Sequence, residues 1–115
     1  MVIQKQDAIR YQLLTEIVFL KKETLIESDM SILTLLAMWG PIELSKFCNE
    51  AVKIMYEIKK MEEFSVKAQN IRNRISKLQK RELIVKEGKV IQIHPSINVV
   101  TNGNILIDYK FLAKE

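Results

Sequence analysis

The chain has 115 residues, 48% of them apolar and 28% charged, with a formal net charge of +4. That size suits one hydrophobic core with little left for a second, and the balance of apolar and charged residues argues against both disorder and a membrane protein. One cysteine, Cys48, and one histidine, His94, cannot form an intrachain disulfide or a Cys/His zinc cluster.

The opening residues, Met1 to Asp7, lack the basic head, apolar stretch and small-residue cleavage site of an export signal, so a cytoplasmic protein is expected. From Ile3 to about Leu25 the residues Ile9, Leu13, Ile17 and Leu20 recur at helical spacing, widened by Ala8, Leu14, Val18 and Phe19. So broad an apolar face needs cover, from the core or from a second copy of the chain. Residues 1–27 are therefore read as an N-terminal helix and a candidate dimerisation element.

Ser28 or Asp29 can cap a second helix through Ile32–Trp39, which Gly40 and Pro41 terminate. Its apolar run is too short to cross a bilayer. Pro41 can open a third helix, with Ile42, Phe47, Ala51, Ile54 and Ile58 as its stripe, reaching Lys60 or Met61. Cys48, beside Phe47 and Ala51, reads as a buried inert thiol. Ser65 can cap a fourth helix whose buried face is Ile71, Ile75 and Leu78. No proline or glycine interrupts 66–82.

Two β-branched runs then flank Gly88 and read as a tight hairpin over 84–93. His94 and Pro95 close it, with His94 read as a strand-end residue. A further hairpin is expected over 95–115, around the turn Asn102-Gly103, as an extension packed on the central unit 28–94.

Charge is unevenly placed. Ser65 to Val90 carry eight basic residues (Lys67, Arg72, Arg74, Lys77, Lys80, Arg81, Lys86, Lys89) against Glu82 and Glu87. Such a basic region is the footprint of a nucleic-acid site; a solvated helix face would show the same composition.

The order helix, helix, helix, basic helix, hairpin resembles the winged helix-turn-helix family. The resemblance covers about Met30–Ile93 and is strongest from Ser65 to Ile93, where a capping serine, an aliphatic residue before Arg72 and the exit Lys77-Leu-Gln-Lys-Arg-Glu-Leu-Ile84 look like the family's recognition helix leading into its wing. Where many members have glycine, this chain has Glu82, and the segment 42–64 is about twice the usual length. The resemblance implies a mainly α fold with a small antiparallel β component: a winged helix of three to four helices and a β-hairpin wing, with an added N-terminal helix and C-terminal hairpin.

A helix anchored on one side can enter the major groove with the other. Amides there read adenine and arginine reads guanine. The base-edge candidates are Lys67, Gln69, Asn70, Asn73 and Arg74. The phosphate candidates are Ser65, Arg72, Lys77, Lys80 and Arg81 on the helix and Lys86 and Lys89 on the wing. Ordinary surface polarity is the competing explanation for the amides.

Three classes of function remain. The first is a DNA-binding homodimer serving transcription regulation, replication or plasmid or phage DNA maintenance. The second is a winged-helix interaction or assembly protein, such as a viral scaffold component, that binds protein. The third, an enzyme, is disfavoured: there is no glycine-rich phosphate loop and no recognisable nucleophile–base pair or metal site. No cofactor or metal is expected, and the sequence does not speak to a small-molecule effector.

Overall fold

The computed structural model describes residues 5–99, so the expected C-terminal hairpin around Asn102-Gly103 lies outside the described residues. The first helix, α1 (Lys5–Leu13), continues without interruption into a wider π-helical stretch, Leu14–Leu20. It stops five residues short of the expected end. Ile9, Leu13 and Ile17 are fully buried, whereas Phe19 and Leu20 are 71% and 66% exposed. The periodic stripe thus ends at Ile17, and its buried part is covered within the same chain, mainly by α2 (Glu27–Trp39).

Helix α2 begins at Glu27 with Ile26 as its cap residue and no side-chain cap, so neither Ser28 nor Asp29 serves as the expected cap. Instead Glu27 and Asp29 lie in the first turn, where their charge favours the positive end of the helix dipole. Residues 32–37 are all buried, as the central helix of the core requires. Gly40 ends it with φ 71 and ψ −160, a backbone region open essentially to glycine alone.

Pro41 does not open a helix. It leads into a short strand, β1 (Ile42–Glu43), and α3 follows as Leu44–Met55. The α3 core face is Phe47, Cys48, Ala51 and Val52, while Ile54 of the expected stripe is exposed. α3 ends at Met55, well before Lys60. The reason lies in the next residues, where half-buried Tyr56 and Ile58 alternate with exposed Glu57 and Lys59. That two-residue alternation suits extended chain and not a helix.

Helix α4 (Met61–Lys80) starts four residues ahead of Ser65, which sits exposed inside it and caps nothing. The N-terminal role falls to acids: Glu62 and Glu63 occupy the first turn, and the backbone amide of Lys59 donates to Glu63 Oε2 at 3.2 Å. Glu63, the third helical residue, reaches back much as the glutamate of a capping box does.

At the other end α4 closes on a Schellman motif. The amide of Leu83 donates to Leu78 O at 3.0 Å and that of Glu82 to Gln79 O at 3.1 Å, with buried Leu78 and Leu83 as the accompanying apolar pair. Glu82 holds the left-handed position, φ 60. The helix therefore ends as sharply with glutamate as it would with glycine.

Strands β2 (Ile84–Glu87) and β3 (Val90–Ile93) form the expected hairpin. Glu87 pairs with Val90 across a two-residue turn, with positive φ at Gly88 and not at Lys89, the pattern of a type II′ turn. β1 adds to the other edge of β3, Ile42 opposite Ile91, to give an antiparallel sheet in the order β1-β3-β2. A two-residue strand has too little periodicity to be read from sequence. The result is a mainly helical, winged-helix-like fold with a small three-stranded antiparallel sheet. One core runs from Ile9 through the helices to Ile91 and Ile97.

Candidate nucleic-acid interface

The site is a consequence of how α4 is seated. Ile71, Ile75 and Leu78 are buried against the core, joined by half-buried Phe64 and Ala68. At about 100° per residue, the side turned away from them carries Glu62, Val66, Gln69, Asn73, Lys77 and Lys80. All six are exposed, as is neighbouring Asn70.

Two of the outward amides are joined. Gln69 Nε2 donates to Asn73 Oδ1 at 2.9 Å, one turn along the helix. Lys77 and Lys80, on α4, and Lys86 and Lys89, at the exposed end of the wing, have no ion-pair partner among the described residues. The wing is fixed relative to the helices, because Leu44, the first residue of α3, donates its amide to Lys89 O at 2.8 Å.

Three of the basic candidates are engaged elsewhere, and a fourth, Arg72, lies at the flank. Arg74 is not free to read a base: its Nε and Nη2 donate to Asp29 Oδ1 at 2.9 and 2.7 Å, and Nη2 also reaches Oδ2 at 2.7 Å. Asp29 is 1% exposed and Arg74 29%, so this is a bidentate pair that fastens α4 to α2. Arg81, a phosphate candidate, turns the same way. Its Nη2 donates to Glu23 Oε2 at 2.9 Å and to the carbonyl of Thr24, and its Nη1 lies 4.0 Å from Asp29.

Lys67 faces the flank, with Nζ 4.8 Å from the centre of the Tyr56 ring, a cation–π contact that ties α4 to the segment before it. Arg72 Nη2 donates to Ser45 Oγ of α3 at 3.2 Å. Its guanidinium lies at the α3–α4 boundary. There it also bears on Cys48, whose thiol is pushed up by burial and drawn back in part by Arg72; a buried, protonated thiol is a poor nucleophile.

Sequence reasoning therefore placed the amides and the outer lysines on the open surface but counted Arg74, Arg81 and Lys67 as ligand contacts when they are occupied within the fold. It missed two outward residues, Glu62 and Val66. Their signal was available, since stepping back from Asn73 by four, seven and eleven residues gives Gln69, Val66 and Glu62. A start at Ser65 leaves Glu62 outside the helix, and Val66 is passed over because it is apolar.

Among the described residues, no three His, Cys, Asp or Glu side chains gather as a metal site requires, and no helix is long and apolar enough to cross a membrane. Comparison of the chain with protein-family models, with curated proteins and with solved structures finds no match in any of the three.

Proposed function

We propose that this chain is a cytoplasmic DNA-binding protein of the winged-helix kind that lays the outward face of α4 in the major groove of a duplex and sets the wing, 84–93, on the adjoining backbone or minor groove. It is a binding protein and not an enzyme, and transcription regulation or plasmid or phage DNA maintenance are the roles such a module serves. One observation carries the reading: several turns of α4 expose amide and lysine side chains while the same helix is held from behind by a buried apolar stripe and by the Asp29–Arg74 pair. A firmly held helix with long polar groups in front is what groove entry demands.

Phosphate contact falls to Lys77, Lys80, Lys86 and Lys89, with Arg72 at the flank. A single copy offers a modest charge, so a homodimer with two α4 helices about one DNA turn apart would supply the affinity needed at cellular salt. Glu62, exposed in the first turn of α4, opposes indiscriminate approach of phosphate to that end.

The test is fluorescence anisotropy on duplex DNA over a range of salt. If the four lysines, with or without Arg72, each displace a counterion, the logarithm of the binding constant falls with the logarithm of salt with a slope of about −4 per copy. Changing Lys77 and Lys80 together to glutamate abolishes binding while leaving the fold intact. Absent or salt-independent binding by the unaltered protein overturns the proposal.

A second reading, an assembly protein that binds protein, is favoured by one feature. Phe19 and Leu20 stand largely exposed at the end of the first helix, more apolar surface than a DNA reader requires. Under that reading, partner binding survives the Lys77 and Lys80 reversal.

A further inference from the structure

The outward face of α4 contains one polar group already set in place before any ligand arrives. Gln69 Nε2 donates to Asn73 Oδ1 at 2.9 Å, and both residues are exposed. The bond occupies one of the two lone pairs on Asn73 Oδ1 and one of the two amide protons of Gln69. Asn73 therefore keeps what recognition of an adenine edge requires. Its Nδ2 can donate to adenine N7, and the second lone pair of Oδ1 can accept from adenine N6.

Gln69 spends one amide proton on this bond and keeps the other together with its carbonyl oxygen. Lying one turn before Asn73 on the same face, it fixes the plane in which the Asn73 amide is held. Seven residues before Asn73, on the same side, Val66 is 58% exposed. Two helical turns separate them, about 10 Å along the axis, close to the length of three stacked base pairs at 3.4 Å each. An aliphatic side chain at that place makes the apolar contact that a thymine methyl offers and the other bases lack in the major groove.

We propose that Asn73 determines specificity by reading one adenine, that Gln69 is its positioning residue, and that Val66 contacts a thymine methyl about three base pairs away. This inference rests on the reading that α4 enters the major groove, and it adds which bases are favoured and by which atoms. Lys77 and Lys80, further along the same face, hold the backbone and carry no base preference.

The test is selection of bound duplexes from a random pool by the full chain, in parallel with its Asn73→Ala, Gln69→Met and Val66→Ser variants. The unaltered protein is expected to enrich an adenine at one position and a thymine about three base pairs from it. Asn73→Ala loses the adenine preference, worth about 5- to 150-fold against another base, and retains the thymine. Gln69→Met, which keeps the side-chain length and removes the donor, weakens the adenine preference alone and leaves the salt dependence unchanged. A residue that merely supported the helix would affect every position alike. Val66→Ser loses the thymine alone.

Salt-dependent binding with no adenine tied to Asn73 overturns this inference and leaves DNA binding standing. Absence of any duplex binding overturns both.

Discussion

Glu82 holds a conformation that its side chain does not favour. At φ 60 it forms the left-handed link between α4 and β2, and a Cβ there approaches the following carbonyl at a cost of roughly 1–2 kcal/mol. The Schellman bonds from Leu83 and Glu82 over-determine the position, so the residue is kept there by its neighbours. Glycine has no such penalty but loses more backbone freedom on folding. The expected outcome for Glu82→Gly is a net gain of about 1 kcal/mol, raising the midpoint of thermal unfolding by about 4 °C. Glu82→Ala serves as the control: it removes the same charge but keeps a Cβ, and a similar rise for alanine would show that charge and not conformation was responsible. The sequence pointed to this residue as a departure from the expected glycine. It could not show that the helix would nevertheless stop there, because the stop is made by backbone bonds and the Leu78–Leu83 contact.

At the scale of elements, the packing of α4 on α2 depends on a pair that no local pattern reveals. Asp29 and Arg74 are 45 residues apart and meet only after both helices have found the core. The apolar periodicity of α4 was legible because burial of Ile71, Ile75 and Leu78 repeats along the chain. The employment of Arg74 was not, since arginine on a helix flank reads the same whether it faces solvent, phosphate or a buried carboxylate. The boundaries of α3 and α4 were likewise misjudged. In the sequence Ile58 continues the helical stripe and Ser65 has the chemistry of a cap, whereas alternating burial and the reach of Glu63 decide otherwise.

The pair also gives a measurable signature. Removing Asp29 leaves Arg74 without its carboxylate, and removing Arg74 leaves buried Asp29 with only the 4.0 Å contact to Arg81. Asp29→Leu and Arg74→Met therefore each cost about 3 kcal/mol, the low end of the usual range because Arg74 keeps 29% of its side chain exposed and Arg81 remains near Asp29. The double replacement leaves no orphaned charge and recovers most of that loss in a double-mutant cycle. Additive losses in urea unfolding would show that the two side chains do not depend on each other.

For the molecule as a whole, the question is whether the first helix is an arm reserved for a partner or a member of the core. Ile9, Leu13 and Ile17 are fully buried among residues of α2, α3, α4 and the sheet in one continuous cluster. The far end of that helix is also secured, since Lys21 Nζ donates to Ser96 Oγ at 2.6 Å beyond the wing and Arg81 ties α4 to Glu23. Elements so connected unfold together, as small single cores generally do. Trp39 reports on that unit from the end of α2, with its ring edge-on to Phe47 at 5.4 Å between centroids. Leu13→Ala is then expected to destabilise the entire chain by about 3 kcal/mol, the usual range for a buried leucine being about 2–5. The loss appears in Trp39 fluorescence as one shifted transition, coincident with the loss of helical signal. A Trp39 transition left in place while part of the helical signal melts early would mean that the first helix docks independently, and the exposed Phe19 and Leu20 would then mark the end of a detachable arm. With one coincident transition, the same two residues are surface features of a folded unit whose first helix is already employed in holding α2, and through it α4, in position.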